Sequence, residues 1–429
     1  MVLDGRTHEF TTLEWRRHLE TFHPKHNAAM TVMGAHGFPY DICDWGTLTD
    51  MGRHSTYLLG SRLRSLYVDR LQFLPEKLNN NTIVQMYLRT TPVPRAIESL
   101  QQVFHGMYPE SDRHPELWPP TIVTRSPKEE TLYPNEKHCA RFRFLMKQFG
   151  ARTAKRWNDK PEVQYINDRI GEFMSKESPR VAVDSKPSIL GVLDTINSTR
   201  AHGPEVRLPD VFYDPKMIKD LELIALEEWF SGYAESKEYR RLGVGSLASD
   251  MLRRMLNAAT ATDLEGDKGS GNKTETRDEF LRFGLSGCHD TTLGGMLTSL
   301  GVKLEGWPPF TSHIAMELFS AKEHESERVY KTSRPHITTA EARPPLEGFY
   351  IRMRYNDEPI VIPACAKPGN HLPGNESFCT LAAFKGIVAN FAPKNWRAEC
   401  KVSKEVPAFP ERPEPAGDEQ TSSVLYTTS

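Results

Sequence analysis

The chain has 429 residues, 38% of them apolar and 26% charged, with a formal net charge of −2. That length can bury a large core in one large domain or two linked ones, at roughly 100–200 residues each. The charge balance leaves no basic excess to hold nucleic acid, and no run of about 18 apolar residues is present to span a membrane.

Met1-Val2-Leu3-Asp4-Gly5-Arg6 is not followed by the apolar core of a signal peptide. Thr11 to Phe22 reads as a helix, with Leu13, Trp15, Leu19 and Phe22 on one broad face. His23 and His26 flank Pro24, which breaks the helical spacing that a metal pair would need. Ala28 to Met33 is a poor strand, and His36 reads as a loop histidine. Thr49 or Asp50 caps the next helix, whose apolar positions are Leu58, Leu59, Leu63, Leu66 and Tyr67.

Thr82 to Thr91 reads as a strand, with Val84, Met86 and Leu88 on one face. Arg89 stands at its C-terminal end, before Pro92 and Pro94 and a helix carrying Arg95, Ile97, Leu100 and Phe104. A guanidinium there can clamp an anion through two parallel hydrogen bonds; the plainer role is a carboxylate partner at the sheet rim. Arg95 reads as structural, paired to Glu98. From residue 105 to 278 the strand pattern is absent. Helices are expected near Glu136–Phe149, Glu162–Ser175, Ile189–Ser198, Lys216–Ser231 and Tyr239–Thr260, then a polar Gly-rich loop from Asp263 to Thr276.

Phe280 to Gly301 reads as a strand, a sharp turn and a helix. Leu281, Phe283 and Leu285 alternate, and Leu293, Met296, Leu297 and Leu300 repeat at helical spacing behind a Thr291 or Thr292 cap. Cys288, His289 and Asp290 lie between them. Ligands of open α/β sheets bind at such strand ends, and helix N-termini favour anions. No second Cys/His pair stands at ligand spacing, so zinc is not expected. His313 to Phe319 reads as a strand whose Glu317 must face water or a basic partner. Phe349–Tyr355 and Pro359–Ile362 read as a hairpin around Asn356-Asp357, and Cys379–Phe391 as a last helix. Beyond Cys400 the Pro-, Glu- and Ser/Thr-rich composition suggests disorder.

Six cysteines, at 43, 139, 288, 365, 379 and 400, show no CxxC spacing. Cys365 and Cys379 bracket a Pro/Gly/Asn loop and either bridge or stand as separate thiols. Asn80, Asn197, Asn272 and Asn375 open glycosylation sequons, which matter only if the chain is secreted. The expected organisation is the N-terminal part of an α/β domain over 1–104, an inserted helical cap over 105–278, the C-terminal part of the α/β domain over 279–400, and a disordered tail over 401–429.

Several of these segments, taken in order over about residues 45 to 400, resemble the motifs of the histidine acid phosphatases, in the phosphoglycerate-mutase-like superfamily. They are Leu48-Thr49 with Gly60-Ser61-Arg62-Leu63-Arg64-Ser65-Leu66-Tyr67, the run Arg89-Thr90-Thr91 to Glu98-Ser99, and Cys288-His289-Asp290-Thr291-Thr292-Leu293. Thr131-Leu132-Tyr133-Pro134-Asn135 and Trp307-Pro308-Pro309-Phe310 are similar to segments of the lysophosphatidic acid phosphatase branch. The resemblance implies an α/β fold, a sheet flanked by helices with an inserted helical cap that chooses the substrate. It implies cleavage of a small phosphate monoester in two steps, through a phosphohistidine, without a metal or other cofactor because arginines supply the positive charge. Carried over, Arg89 binds phosphate, His289 donates a hydrogen bond to it, and Asp290 is the general acid.

The family's first motif, Arg-His-Gly-X-Arg, has no counterpart. Ala35-His36-Gly37-Phe38-Pro39 lacks both arginines, and His36 lies only twelve positions before Leu48 where the family has a few tens. The expectation is therefore an N-terminally truncated phosphatase without its nucleophile and without its first central strand, or else a pseudophosphatase that binds phosphorylated ligands. The substrate and the compartment stay open, although members of this family are often secreted or organellar.

Overall fold

A computed structural model describes residues 20–22, 29–31, 46–203, 207–261, 281–321 and 346–417. Glu20–Phe22 (β1) and Ala29–Thr31 (β2) pair antiparallel, with Thr21 opposite Met30. The helix expected over Thr11–Phe22 therefore fails at its C-terminal end. Thr21 and Phe22 suit a strand. The rest of that segment, with His23, His26, His36 and Cys43, lies outside the described residues.

Asp50–Arg64 (α1) starts on Thr49, whose hydroxyl accepts the Gly52 N–H at 3.0 Å. A π-helical turn continues it through Ser65–Arg70. The expected strand over 82–91 is shorter: Ile83–Gln85 form a 3-10 turn before Met86–Thr90 (β3). Pro94–Met107 (α2) follows, with Pro94 in the first turn where its missing N–H costs nothing. The two helices cross at Gly60 and Gly106. A Cβ on Gly60 would lie 2.0 Å from the Val103 carbonyl oxygen, and one on Gly106 2.0 Å from that of Tyr57.

Ile122–Val123 (β4) is a two-residue strand in the stretch that reads as strandless. Then come Ala140–Trp157 (α3), Pro161–Ile170 (α4), Ile189–His202 (α5), Pro215–Glu235 (α6), Lys237–Gly243 (α7) and Gly245–Ala261 (α8). None of the described helices is long and apolar enough to cross a membrane. Phe283–Gly287 (β5) leads into Asp290–Ser299 (α9). The C-terminal part holds Ile314–Ser320 (β6), Phe349–Tyr355 (β7), Glu358–Ile360 (β8), His371–Leu372 (β9) and Asn375–Thr380 (β10). Leu381–Phe391 (α10) and Trp396–Glu399 (α11) complete it. The helix read from Cys379 thus begins at Leu381 behind a Thr380 cap, and Cys379 itself is in a strand.

β4, β3 and β5 form a parallel sheet in that order, with Leu88 opposite Leu285 and Arg89 opposite Ser286. β6, β7, β10 and β9 form an antiparallel sheet, with β8 folded onto β7. The β7–β8 turn uses Asn356 and Asp357 at φ 47° and 71°, as a tight hairpin requires. Glu317 on β6 is held by Arg352 Nε at 2.7 Å and the Tyr67 hydroxyl at 2.7 Å, so it has its basic partner. One apolar core joins the helices of 140–261 to α9 and the antiparallel sheet. A second lies between α1, α2 and β3.

Cys365 is bonded to Cys379, and Cys139 to Cys400 across 261 positions, a pairing with no local sequence signal. Residues 401–417 have no regular secondary structure and are tied to the helical layer by hydrogen bonds. The buried Arg141 guanidinium donates to the carbonyls of Ser403, Val406 and Pro407, and Ala416 N–H to Ala234. Cations on the helical layer satisfy the carbonyls of this proline-rich strap.

Candidate active site

β3 and β5 end in register, Thr90 opposite Gly287, so the residues after them meet. The approach is close: a Cβ on Gly287 would lie 2.7 Å from the Thr90 hydroxyl and 2.8 Å from the Ala96 carbonyl. His289 is extended and is itself the N-cap of α9. The helix therefore opens at Asp290, ahead of the expected Thr291 or Thr292 cap. The Asp290 Oδ1 accepts the Thr291 N–H at 2.8 Å, and its Oδ2 the Trp307 indole N–H at 2.8 Å. The His289 Nε2 lies 3.1 Å from the Thr91 hydroxyl, and its ring is 6.0 Å from that of Tyr133. Thr292 donates to the Leu132 carbonyl at 2.7 Å, locking the first turn of α9 to the 130–133 loop. Trp307 and the Tyr-Pro segment thus hold Asp290 and flank His289.

These groups open into a cleft of about 2960 Å³. Residues 281–290 and 308–320 line it continuously, so β5 and β6 both face it. Among the described residues β5 pairs only with β3 and β6 only with β7, which leaves one edge of each unpaired along the cleft.

The two arginines near the site have different partners. Arg89 is at the strand end as expected, but its guanidinium is 3% exposed and tied to the fully buried Glu130 at 2.6 Å. It also donates to the Thr131 hydroxyl at 2.9 Å and lies 3.5 Å from Asp250, which Arg125 shares at 2.5 Å. Glu130 in turn accepts the N–H groups of Thr131 and Leu132 at 2.8 and 2.7 Å. Arg89 thus lines the cleft with its guanidinium already beside the carboxylates of Glu130 and Asp250. Arg95 is not paired to Glu98, which bonds Arg53 instead. Arg95 is exposed at the cleft, reaching the Gly46 carbonyl only at 3.5 Å.

The charges around His289 follow from this arrangement. Burial lowers its proton affinity, Arg95 lowers it further, and Asp290 and Glu130 oppose the shift. Burial pushes the neighbouring Cys288 thiol up to about 12, which leaves it a poor nucleophile at neutral pH. Asp194, on α5 across the cleft, has its carboxyl raised by loss of solvation within the cleft and then by Asp290, against Arg95. His289, Asp290, Arg95 and Asp194 therefore share one electrostatic neighbourhood. Nothing in the sequence pattern of α5 marks Asp194, and the exposure of Arg95 depends on Glu98 being taken by a residue 45 positions away.

The model of the histidine phosphatase superfamily, branch 2, matches residues 16–356. A probable acid phosphatase of Schizosaccharomyces pombe is 36% identical over 386 residues, covering 86% of this chain and 79% of that protein. Lysophosphatidic acid phosphatase type 6 of Homo sapiens is 26% identical over 281 residues, 64% of this chain and 57% of that one. Among solved structures, Hafnia alvei phytase in complex with tartrate superposes with a TM-score of 0.54 at 12% identity, over 84% of this chain and 90% of that one. Citrobacter braakii phytase gives 0.53, also at 12% identity, over 84% and 91%. A strand-end His-Asp pair beside an exposed arginine, on a phytase-like fold and in a sequence matched across most of its length, makes this chain a member of the histidine phosphatase superfamily, branch 2.

Proposed function

We propose that this protein is a phosphomonoester hydrolase of the acid phosphatase type, working through a phosphohistidine. The observation that carries the reading is the convergence of His289, Asp290 and Arg95 at the C-terminal end of β5. Arg95 neutralises phosphoryl oxygens with a guanidinium that pairs with no carboxylate among the described residues. His289 turns from Thr91 to donate a hydrogen bond to the phosphoryl group, and takes a proton more readily once a dianion offsets Arg95. Asp290, oriented by Trp307 and the Thr291 N–H, delivers a proton to the leaving oxygen. The helices from α3 to α8 act as a cap that walls the pocket, with α5 and α8 facing the cleft.

No described residue is assigned as the nucleophilic histidine of that mechanism. A second reading, a pseudophosphatase that binds phosphate esters without turnover, is favoured by the lack of an Arg-His-Gly-X-Arg run in the sequence.

Binding of inorganic phosphate, measured by calorimetry, tests the site under either reading. Arg95→Ala is expected to weaken it at least tenfold and to leave the urea midpoint unchanged. Arg89→Ala is expected to cost about 3–5 kcal/mol of stability, because it strands Glu130 as a buried charge. The reverse pattern would return the anion to Arg89. Hydrolysis of an aryl phosphate at mildly acidic pH then separates enzyme from pseudophosphatase.

A further inference from the structure

α5 has two faces. Ile189, Val192, Leu193 and Ile196 are buried in the helical core, whereas Asp194, Ser198, Ala201 and His202 run along the opposite side and line the cleft. That spacing is one stripe of an α-helix. It presents a carboxylate, a hydroxyl and an imidazole to the space where the leaving group of a bound phosphate ester would lie.

The charges near this stripe are specific. Asp194 is close enough to Asp290 and to Arg95 for both to act on its carboxyl. Three other arginines of the same cleft are engaged elsewhere. Arg62 is paired with Asp357 at 3.0 Å, Arg89 with Glu130, and Arg254 lies 3.9 Å from the centre of the Tyr87 ring. Arg200, on the same helix, acts on Glu222 of α6. Arg95 is thus the cation that acts on both His289 and Asp194, against the carboxylates of Asp194 and Asp290. An incoming monoester uses the positive group for its own phosphate. What remains facing the alcohol beside Asp194 is acidic and hydrogen-bond accepting.

We propose that Asp194 is a specificity-determining residue, selecting monophosphate esters whose alcohol carries a second hydroxyl next to the ester carbon and rejecting alcohols that carry a second phosphate. The hydroxyl donates a hydrogen bond to the Asp194 carboxylate. A second phosphate would sit against Asp194 and Asp290, where like charges repel. This rests on the phosphate site proposed above and names its substrate class.

The test uses the full chain and three ligands of one carbon skeleton: ethyl phosphate, 2-hydroxyethyl phosphate and ethylene glycol bisphosphate. Their dissociation constants are measured in competition with inorganic phosphate. The wild-type chain is expected to prefer 2-hydroxyethyl phosphate over ethyl phosphate by about tenfold, as a hydrogen bond to a charged acceptor would give. Asp194→Ala should bring that ratio close to one while leaving ethyl phosphate binding within about twofold. Asp194→Asn, which keeps the shape and loses the charge, should bind the bisphosphate several-fold tighter than the wild type does. Asp194 is exposed, so neither variant threatens the core. An unchanged hydroxyl preference in Asp194→Ala, with ethyl phosphate still bound, overturns the selection by Asp194 alone. Failure of inorganic phosphate to bind the wild-type chain overturns the phosphate site and the selection with it.

Discussion

Glu228 on α6 has one carboxylate oxygen buried without a hydrogen-bond partner. Burial, and secondly the charge of Asp184, push its pKa from 4.5 up to about 7. The folded protein therefore holds this proton up to about neutral pH, whereas the unfolded chain releases it near 4.5. Below 4.5 both states are protonated and the group is neutral to stability. Its penalty grows as pH rises through that window and is complete above 7. Glu228→Gln is expected to stabilise the protein by up to about 3 kcal/mol at pH 8 and to do nothing near pH 4. Urea unfolding at the two pH values checks this; an equal gain at both would trace the effect to packing. Residues of this kind are illegible in sequence, because what matters is the side chain that fails to face them. Arg89 and Arg95 make the same point in opposite directions. Both stand near a strand end in a motif-like context, and their partners differ through Glu130, 41 positions after Arg89, and through Arg53, which takes Glu98 from Arg95.

Among elements, the tightest junction is the crossing of α1 and α2. Gly60 and Gly106 face backbone carbonyls there, and a backbone cannot rotate away as a side chain can. Gly60→Ala or Gly106→Ala is expected to cost about 1–3 kcal/mol, by forcing apart helices that carry the core under β3. Gly150, inside α3 with open space around its Cα, serves as the contrast. Gly150→Ala should stabilise by about 0.5–1 kcal/mol through helix propensity. Denaturant midpoints for the three variants measure this, and a uniform loss would show that crowding is not the cause. The elements most legible in the sequence were those with their own periodicity: α1, α2, β6 and β7. Those read poorly owe their state to a partner. Ile122–Val123 is a strand only because β3 lies alongside. Thr21 and Phe22 follow the strand opposite them, not the helical spacing of the residues before. The proline-rich residues after Cys400 are ordered by arginines from α3 and α7, which no local composition could announce.

At the scale of the whole molecule, α1 and the π-helical turn after it reach across the cleft to β6 and the β7–β8 turn. Ser55 meets Thr311 at 2.7 Å, Arg62 meets Asp357, and Tyr67 meets Glu317. At the far side the Cys139–Cys400 bond closes a loop of 261 positions, which on a chain-entropy account contributes roughly 5 kcal/mol. Paired Cys139→Ser and Cys400→Ser substitutions, or a reductant, should lower the thermal midpoint by several degrees; an unchanged midpoint would mean that the Arg141 and Arg240 contacts hold the strap unaided. The bond also imposes an order on biosynthesis. Cys139 stands just before the first helix of the 140–261 layer, yet its partner leaves the ribosome only after almost every other described residue. A nascent polypeptide halted short of position 400 should therefore still alkylate at Cys139, so the protein's covalent maturation belongs to the moments after translation has passed its last helix.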